Sequence, residues 1–320
     1  MASENRKTVL VAIAANGVIA AAKLGAGVLS GSAAMLAEAA HSIADTGNEG
    51  LLLVSLARSQ RRPDETHPFG YGKERFFWAF LVAVFIFLLG GLFSILQGAY
   101  RLVAGGGGEG DPVVAYAVLA VALVAESVSF ARALRQTRAE AAGAGMPLRR
   151  YIRVSKEPTA KTVFSEDAAA IAGVLIAAAG IGLDQLTGAV VFDPIASVLI
   201  GLLLCAVAVA LGRDVKGLLL GEAARPEQRR ALRQAMLREP GVRDVLELLT
   251  MYLGPESLLV AARLDLEDGI SAGEVERVSS RIERELRAAV PEVDQVFLDA
   301  TPGRAARSPG GAAPLPELPD

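Results

Sequence analysis

Six apolar runs, at roughly residues 9–30, 33–57, 76–102, 112–134, 160–183 and 189–212, dominate the chain up to Arg213. A helix needs ~20 predominantly apolar residues to cross the hydrocarbon core of a bilayer, and each run is of about that length. Hydropathy therefore predicts an α-helical polytopic membrane protein with six transmembrane helices. Composition agrees: 52% of the residues are hydrophobic and only 5% aromatic, so Ala, Leu, Val, Ile and Gly carry the apolarity. The formal net charge of −3 says little about partners, because Lys and Arg are unevenly placed, and no nucleic-acid partner is implied. The single cysteine, Cys205, excludes an intramolecular disulfide and any Cys-rich zinc module. The first run, Leu10 to Leu29, is too long for a signal-peptide core and lacks a cleavage site, so it is expected to remain as a helix.

Basic residues orient the spans. Connections one–two, three–four and five–six are short or Gly-rich (Ser30-Gly31-Ser32, Gly105 to Gly108, Asp184 to Gly188) and carry almost no Lys or Arg beyond Arg101. Connection two–three holds Arg58, Arg61, Arg62, Lys73 and Arg75. Connection four–five holds Arg135, Arg138, Arg149, Arg150, Arg153 and Lys156. The positive-inside rule puts these two loops and both termini in the cytoplasm, and all five connections agree. A bacterial plasma membrane is the expected location. The Gly105–Gly108 run follows no strand, so it reads as a linker rather than a phosphate cradle.

After Arg213 the chain turns polar. Pro226 to Arg238 is helix-forming, Val242 to Met251 and Ser257 to Leu266 read as strands around a Gly254-Pro255 turn, and Val293 to Ala300 reads as a third strand. Between them, Ser271 to Ala289 sets Val275, Val278, Ile282 and Leu286 on one face of a helix. That order suits a small α+β domain with helices on one face of a sheet. The expected domains are 1–214 in the membrane, 215–301 in the cytosol, and a disordered Pro- and Gly-rich tail over 302–320.

The polar residues inside the spans carry the chemistry. Glu38, His41, Asp45 and Glu49 follow one another at spacings of three, four and four, so they form one stripe on the second span. Ionisable residues in hydrocarbon are costly and commonly mark an ion or proton path. An imidazole and a carboxylate also suit a divalent transition metal. The competing reading is a set of interhelical hydrogen bonds. Lys23 is placed to neutralise Glu38, and Glu49 to face Asn16 or the cytoplasmic vestibule. The fifth span adds Ser165-Glu166-Asp167, whose two acids lie about 100° apart around a helix. Glu126 in the fourth span is a further buried acid, either a proton carrier or a hydrogen-bond partner.

Ser30-Gly31-Ser32, His41-Ser42-Ile43-Ala44-Asp45, His67-Pro68-Phe69-Gly70-Tyr71-Gly72 and Asp193-Pro194-Ile195-Ala196-Ser197, in that order, resemble the cation diffusion facilitator family of metal/proton antiporters. The likeness runs from Thr8 to Thr301. It implies six spans, a cytosolic ferredoxin-like domain, a homodimer, and export of Zn²⁺ or a similar ion from the cytoplasm against protons. The metal is cargo, and no resident cofactor is implied. Mn²⁺, Co²⁺ and Fe²⁺ also suit a carboxylate-rich site with one histidine.

The resemblance also implies four ligands, two from span two and two from span five. His41 and Asp45 match the first pair. Asp167 matches the second position of the other pair, with Gly173 at the family's usual distance. The first position falls on Val163, which cannot coordinate, so Glu166 is the expected substitute. A Glu-Asp pair there resembles the zinc transporter nine-like subgroup. Asp64 and His67 match two ligands of a loop site found in some members, but Tyr71 replaces a further histidine, and the turn itself gives His67 a structural role. With no histidine after residue 67, the cytosolic domain cannot form the family's His-rich site; Asp265, Glu267 and Asp268 read as a solvated acidic loop. Two other classes compete: a small-molecule/proton antiporter with the acids as relays, and a membrane-anchored sensor whose buried stripe is structural. No nucleophile is paired with a base, so an enzyme is not expected.

Overall fold

The computed structural model describes residues 2–105, 112–143, 145–154 and 158–301. The expected disordered tail and Gly106 to Gly108 of the expected linker lie outside the described residues. The chain divides into two units between Leu219 and Leu220.

The first unit is helical: α1 (Ala2–Ser30), α2 (Ala33–Ser59), α3 (Glu74–Phe85) running through a π-helical stretch (Ile86–Leu92) into α4 (Phe93–Ala104), α5 (Pro112–Gly143), the short α6 (Leu148–Val154), α7 (Pro158–Thr187) and α8 (Phe192–Leu220). Among the described residues, four stretches are long and apolar enough to cross a membrane: Glu74–Ala104, Pro112–Gly143, Thr162–Thr187 and Phe192–Leu220. The apolar part of α1, Asn16–Ser30, is shorter. The α2 helix, interrupted by Glu38, Asp45 and Glu49, is not among the four. Several helices outrun the expected spans. The α5 helix continues past residue 134 to Gly143, because a helix whose backbone bonds are satisfied internally need not stop where its side chains become polar. The α6 turn was not expected at all.

Helix α2 is the hub, packing on α1, α3, the π-helical stretch, α4 and α7, while α5 packs on α1 and α7. Its start is fixed from afar. The chain reverses at Gly31 (φ 67°), where a side chain would be strained. The Ser32 hydroxyl then accepts from the Met35 N–H at 3.0 Å as N-cap. Asp193, at the start of α8, accepts from the Ser32 hydroxyl and from the backbone N–H of Ala33 (2.6 Å) and Ala34 (3.3 Å). A carboxylate at a helix N-terminus satisfies donors that the helix cannot, and it complements the dipole. The Ser-Gly-Ser and Asp-Pro motifs are thus two halves of one cap. Asp184 in turn caps α8, accepting from Phe192 and Asp193 N–H at 2.8 and 3.2 Å.

The second unit contains α9 (Pro226–Leu237), β1 (Val242–Gly254), β2 (Ser257–Leu266), α10 (Ala272–Ala289) and β3 (Val293–Ala300). The sheet order is β1-β2-β3, with β1 antiparallel and β3 parallel to β2. Alternation along β2 buries Leu258, Val260, Ala262 and Leu264, and Val278, Ile282 and Leu286 of α10 and Leu232 and Met236 of α9 are buried as well. Helix α9 packs on β1, α10 on β3, and the helices on each other, so both cover one face. This is the expected small α+β fold.

Candidate metal centre

The stripe expected on α2 is present, with Glu38 and His41 buried and Asp45 and Glu49 half-buried. His41 is 1% exposed, and its Nδ1 lies 3.3 Å from Asp45 Oδ1, one helical turn on. The alignment is not that of a hydrogen bond: both imidazole nitrogens and Asp45 Oδ1 are buried without a hydrogen-bonding partner. Buried polar atoms are almost always satisfied, so three orphans on adjacent turns of a central helix need an explanation.

The fifth-span acids part ways, as their ~100° offset requires. Glu166 is buried and turns toward α2, where Asn48 Nδ2 donates to its Oε1 at 2.6 Å. Asp167 turns toward α5 and accepts from the Ser129 hydroxyl at 3.0 Å. Among the described residues, no three His, Cys, Asp or Glu side chains come close enough together to hold one metal ion. The structure therefore brings His41 and Asp45 together, sets Glu166 on the same α2 face through Asn48, and leaves Asp167 on its α5 partner. Neither Asn48 nor Ser129 was expected to take part. Asn48 stands three residues beyond Asp45 and seven beyond His41, so the stripe's own spacing could have found it; a lone Ser129 in an apolar run gives no such signal.

The outlying polar residues behave as their spacing suggests. Lys23 Nζ lies 2.9 Å from Glu38 Oε2, and Asn16 Nδ2 donates to Glu49 Oε1 at 2.7 Å. On α7, Gly173 faces Glu38 so closely that a Cβ there would collide with the Glu38 carboxylate, which is why the two helices meet at this point.

The His67 loop is organised around Asp64. Its carboxylate accepts from the Thr66 and His67 N–H groups at 3.0 and 2.8 Å and from the Tyr71 hydroxyl at 2.6 Å. The Tyr71 hydrogen bond, helped by the His67 N–H, holds the Asp64 carboxyl below the ordinary carboxylate range; the same bond pushes the Tyr71 phenol up. The Arg61 guanidinium lies 4.4 Å over the Tyr71 ring, and the His67 ring 4.3 Å from it. Tyr71, in the place of a ligand, thus builds the turn. In the second unit, Asp268 of the acidic loop pairs with Arg243 at 3.0 Å.

Residues 9–220 match a family described as the cation efflux transmembrane domain, and residues 224–302 match the cation efflux protein, cytoplasmic domain. The proton-coupled zinc antiporter SLC30A9, mitochondrial, of Homo sapiens is 33% identical over 265 residues, which cover 82% of this chain and 46% of that one. Metal tolerance protein C4 of Arabidopsis thaliana is 33% identical over 261 residues, covering 82% and 57%. This chain therefore spans about half the length of these two relatives. The manganese efflux system protein MneP of Bacillus subtilis is 25% identical over 311 residues, covering 94% and 99%.

Proposed function

This chain belongs to the cation diffusion facilitator, or cation efflux, family, whose members are transporters rather than enzymes, and on that premise we propose that it exports a divalent metal ion from the cytoplasm in exchange for protons. The carrying observation is the unpartnered pair on α2: His41 and Asp45 present buried nitrogen and oxygen atoms with no protein hydrogen bond to satisfy them. A borderline divalent cation suits that donor set.

In this reading, His41, Asp45, Asp167 and Glu166 are the ligands. Glu166 needs only to exchange Asn48 for the ion, whereas Asp167 must leave Ser129 and swing toward α2. Exchange between those hydrogen-bonded positions and coordination accompanies opening of the cavity to one side and then the other. Protons compete for His41 because an imidazole protonated on both nitrogens cannot bind metal. Zn²⁺ is the expected cargo, supported by the likeness to the proton-coupled zinc antiporter SLC30A9, and the manganese efflux protein MneP makes Mn²⁺ the first alternative to compare. The protein acts with six spans in a bacterial plasma membrane, both termini cytoplasmic, as a homodimer paired through residues 215–301. Residues 1–214 form the transport domain.

Calorimetric titration of the purified protein with Zn²⁺ tests the ligand set. His41→Ala and Asp45→Ala should lose saturable binding, and Glu166→Gln and Asp167→Asn should each weaken it. Wild-type affinity in the two α2 variants would remove the assignment. Wild-type affinity in Glu166→Gln alone would leave a three-ligand site completed by water.

A further inference from the structure

A second buried polar cluster joins α1, α2 and α5. Lys23 Nζ donates to Glu38 Oε2 at 2.9 Å and to the Ser42 hydroxyl at 2.8 Å, and Glu126 Oε1 lies 3.9 Å from the same nitrogen. The Lys23 and Glu38 side chains have no exposure, and Glu126 keeps 18%. One cation thus faces two carboxylates in a region that the spans place within the bilayer. If all three were ionised, the cluster would hold an excess negative charge, which such surroundings penalise heavily. The charged and titratable groups that bear on it are His41, Asp45 and Glu49 of α2 and Asp167 of α7. Among these groups Lys23 is the one permanent cation, and the further acids only increase the negative excess.

We propose that Lys23, Glu38 and Glu126 form a proton-binding site, separate from the metal ligands, in which the two glutamates share one exchangeable proton. A single proton makes the cluster neutral. Glu38 holds the short contact to the ammonium, and its other oxygen, Oε1, is buried without a partner against Gly173. Glu126, the more exposed and more loosely paired acid, is the route by which the proton enters and leaves. Its coupling to transport rests on the metal reading above: a divalent ion arriving at His41 and Asp45 brings positive charge toward the cluster and expels the proton.

Two measurements on the full chain in detergent test this. Difference infrared spectroscopy, with the D₂O shift to identify the band, counts protonated carboxyl groups at neutral pH. Glu126→Gln and Glu38→Gln should each lose one relative to wild type, since either change leaves Lys23 with a single ionised partner. An unchanged band in both variants would overturn the site. Zn²⁺ calorimetry in buffers of different ionisation enthalpy then counts protons released per ion bound. Glu126→Gln should still bind Zn²⁺ saturably, release one proton fewer and show an affinity that rises less steeply with pH; an unchanged count would overturn the coupling. Failure of the wild-type protein to bind Zn²⁺ would instead strike the metal reading, and the infrared result would still decide the proton site.

Discussion

Removing the Asp193 carboxylate should loosen the start of the helix that carries His41 and Asp45. Asp193 accepts from the Ser32 hydroxyl and from the Ala33 and Ala34 N–H groups, and both alanines are fully buried. The Ala34 contact, at 3.3 Å, is the weakest. Asp193→Ala strands the Ala33 donor and the Ser32 hydroxyl, and a buried donor left unmade costs about 1–3 kcal/mol. Two such groups give a loss of about 2–6 kcal/mol, with the favourable carboxylate at the helix N-terminus lost as well. Asp193→Asn keeps one acceptor oxygen and should cost roughly 1 kcal/mol, comparable to removing an ordinary N-cap. Ser32→Ala should cost about the same and be non-additive with Asp193→Ala, because the two groups share a hydrogen bond. Equilibrium unfolding in mixed micelles, followed by the fluorescence of the single tryptophan, Trp78, reads these differences. A wild-type midpoint for Asp193→Ala would refute the cap.

Two further outcomes follow from geometry outside the spans. Asp64 has its folded value lowered by Tyr71, so its contribution is present above the unfolded carboxylate value of about 3.9 and is lost as pH falls through the lower folded value. Tyr71→Phe should therefore lower the melting temperature at neutral pH and flatten the acid limb of its pH profile, with the two proteins converging at low pH; an unchanged profile would show that the bond does not order the loop. Residues 220–301 should sediment as a dimer without added metal, through the sheet face that its helices leave uncovered, where Leu249, Ala261 and Phe297 line up across the strands. A monomer that pairs only with Zn²⁺ would show that carboxylates there form a metal site.

Much of this was legible in the chain itself. Apolar runs located the long helices, and alternation and amphipathicity located the sheet and α10. The Lys23–Glu38 and Asn16–Glu49 pairs could be foreseen because each joins polar residues on adjacent antiparallel helices linked only by Gly31 and Ser32. Helix ends were less legible, since α5 continues into its Arg-rich segment after the apolar signal stops. The cap linking Ser32 to Asp193 spans 161 positions, and no local pattern tells that two separate motifs meet. The partition of Glu166 and Asp167 between α2 and α5 was likewise beyond the sequence. Their angular offset was plain, but which acid faces which helix depends on how α7 is rotated, and Asn48 and Ser129 reveal that only in three dimensions.

Metal uptake into proteoliposomes under an imposed pH gradient, with Zn²⁺ and Mn²⁺ compared, tests metal/proton exchange most directly. The expected result is saturable uptake driven by an acidic lumen, with lumenal protons leaving as metal enters, and lost in both His41→Ala and Asp45→Ala. Uptake that ignores the gradient, or that survives both substitutions, would contradict it.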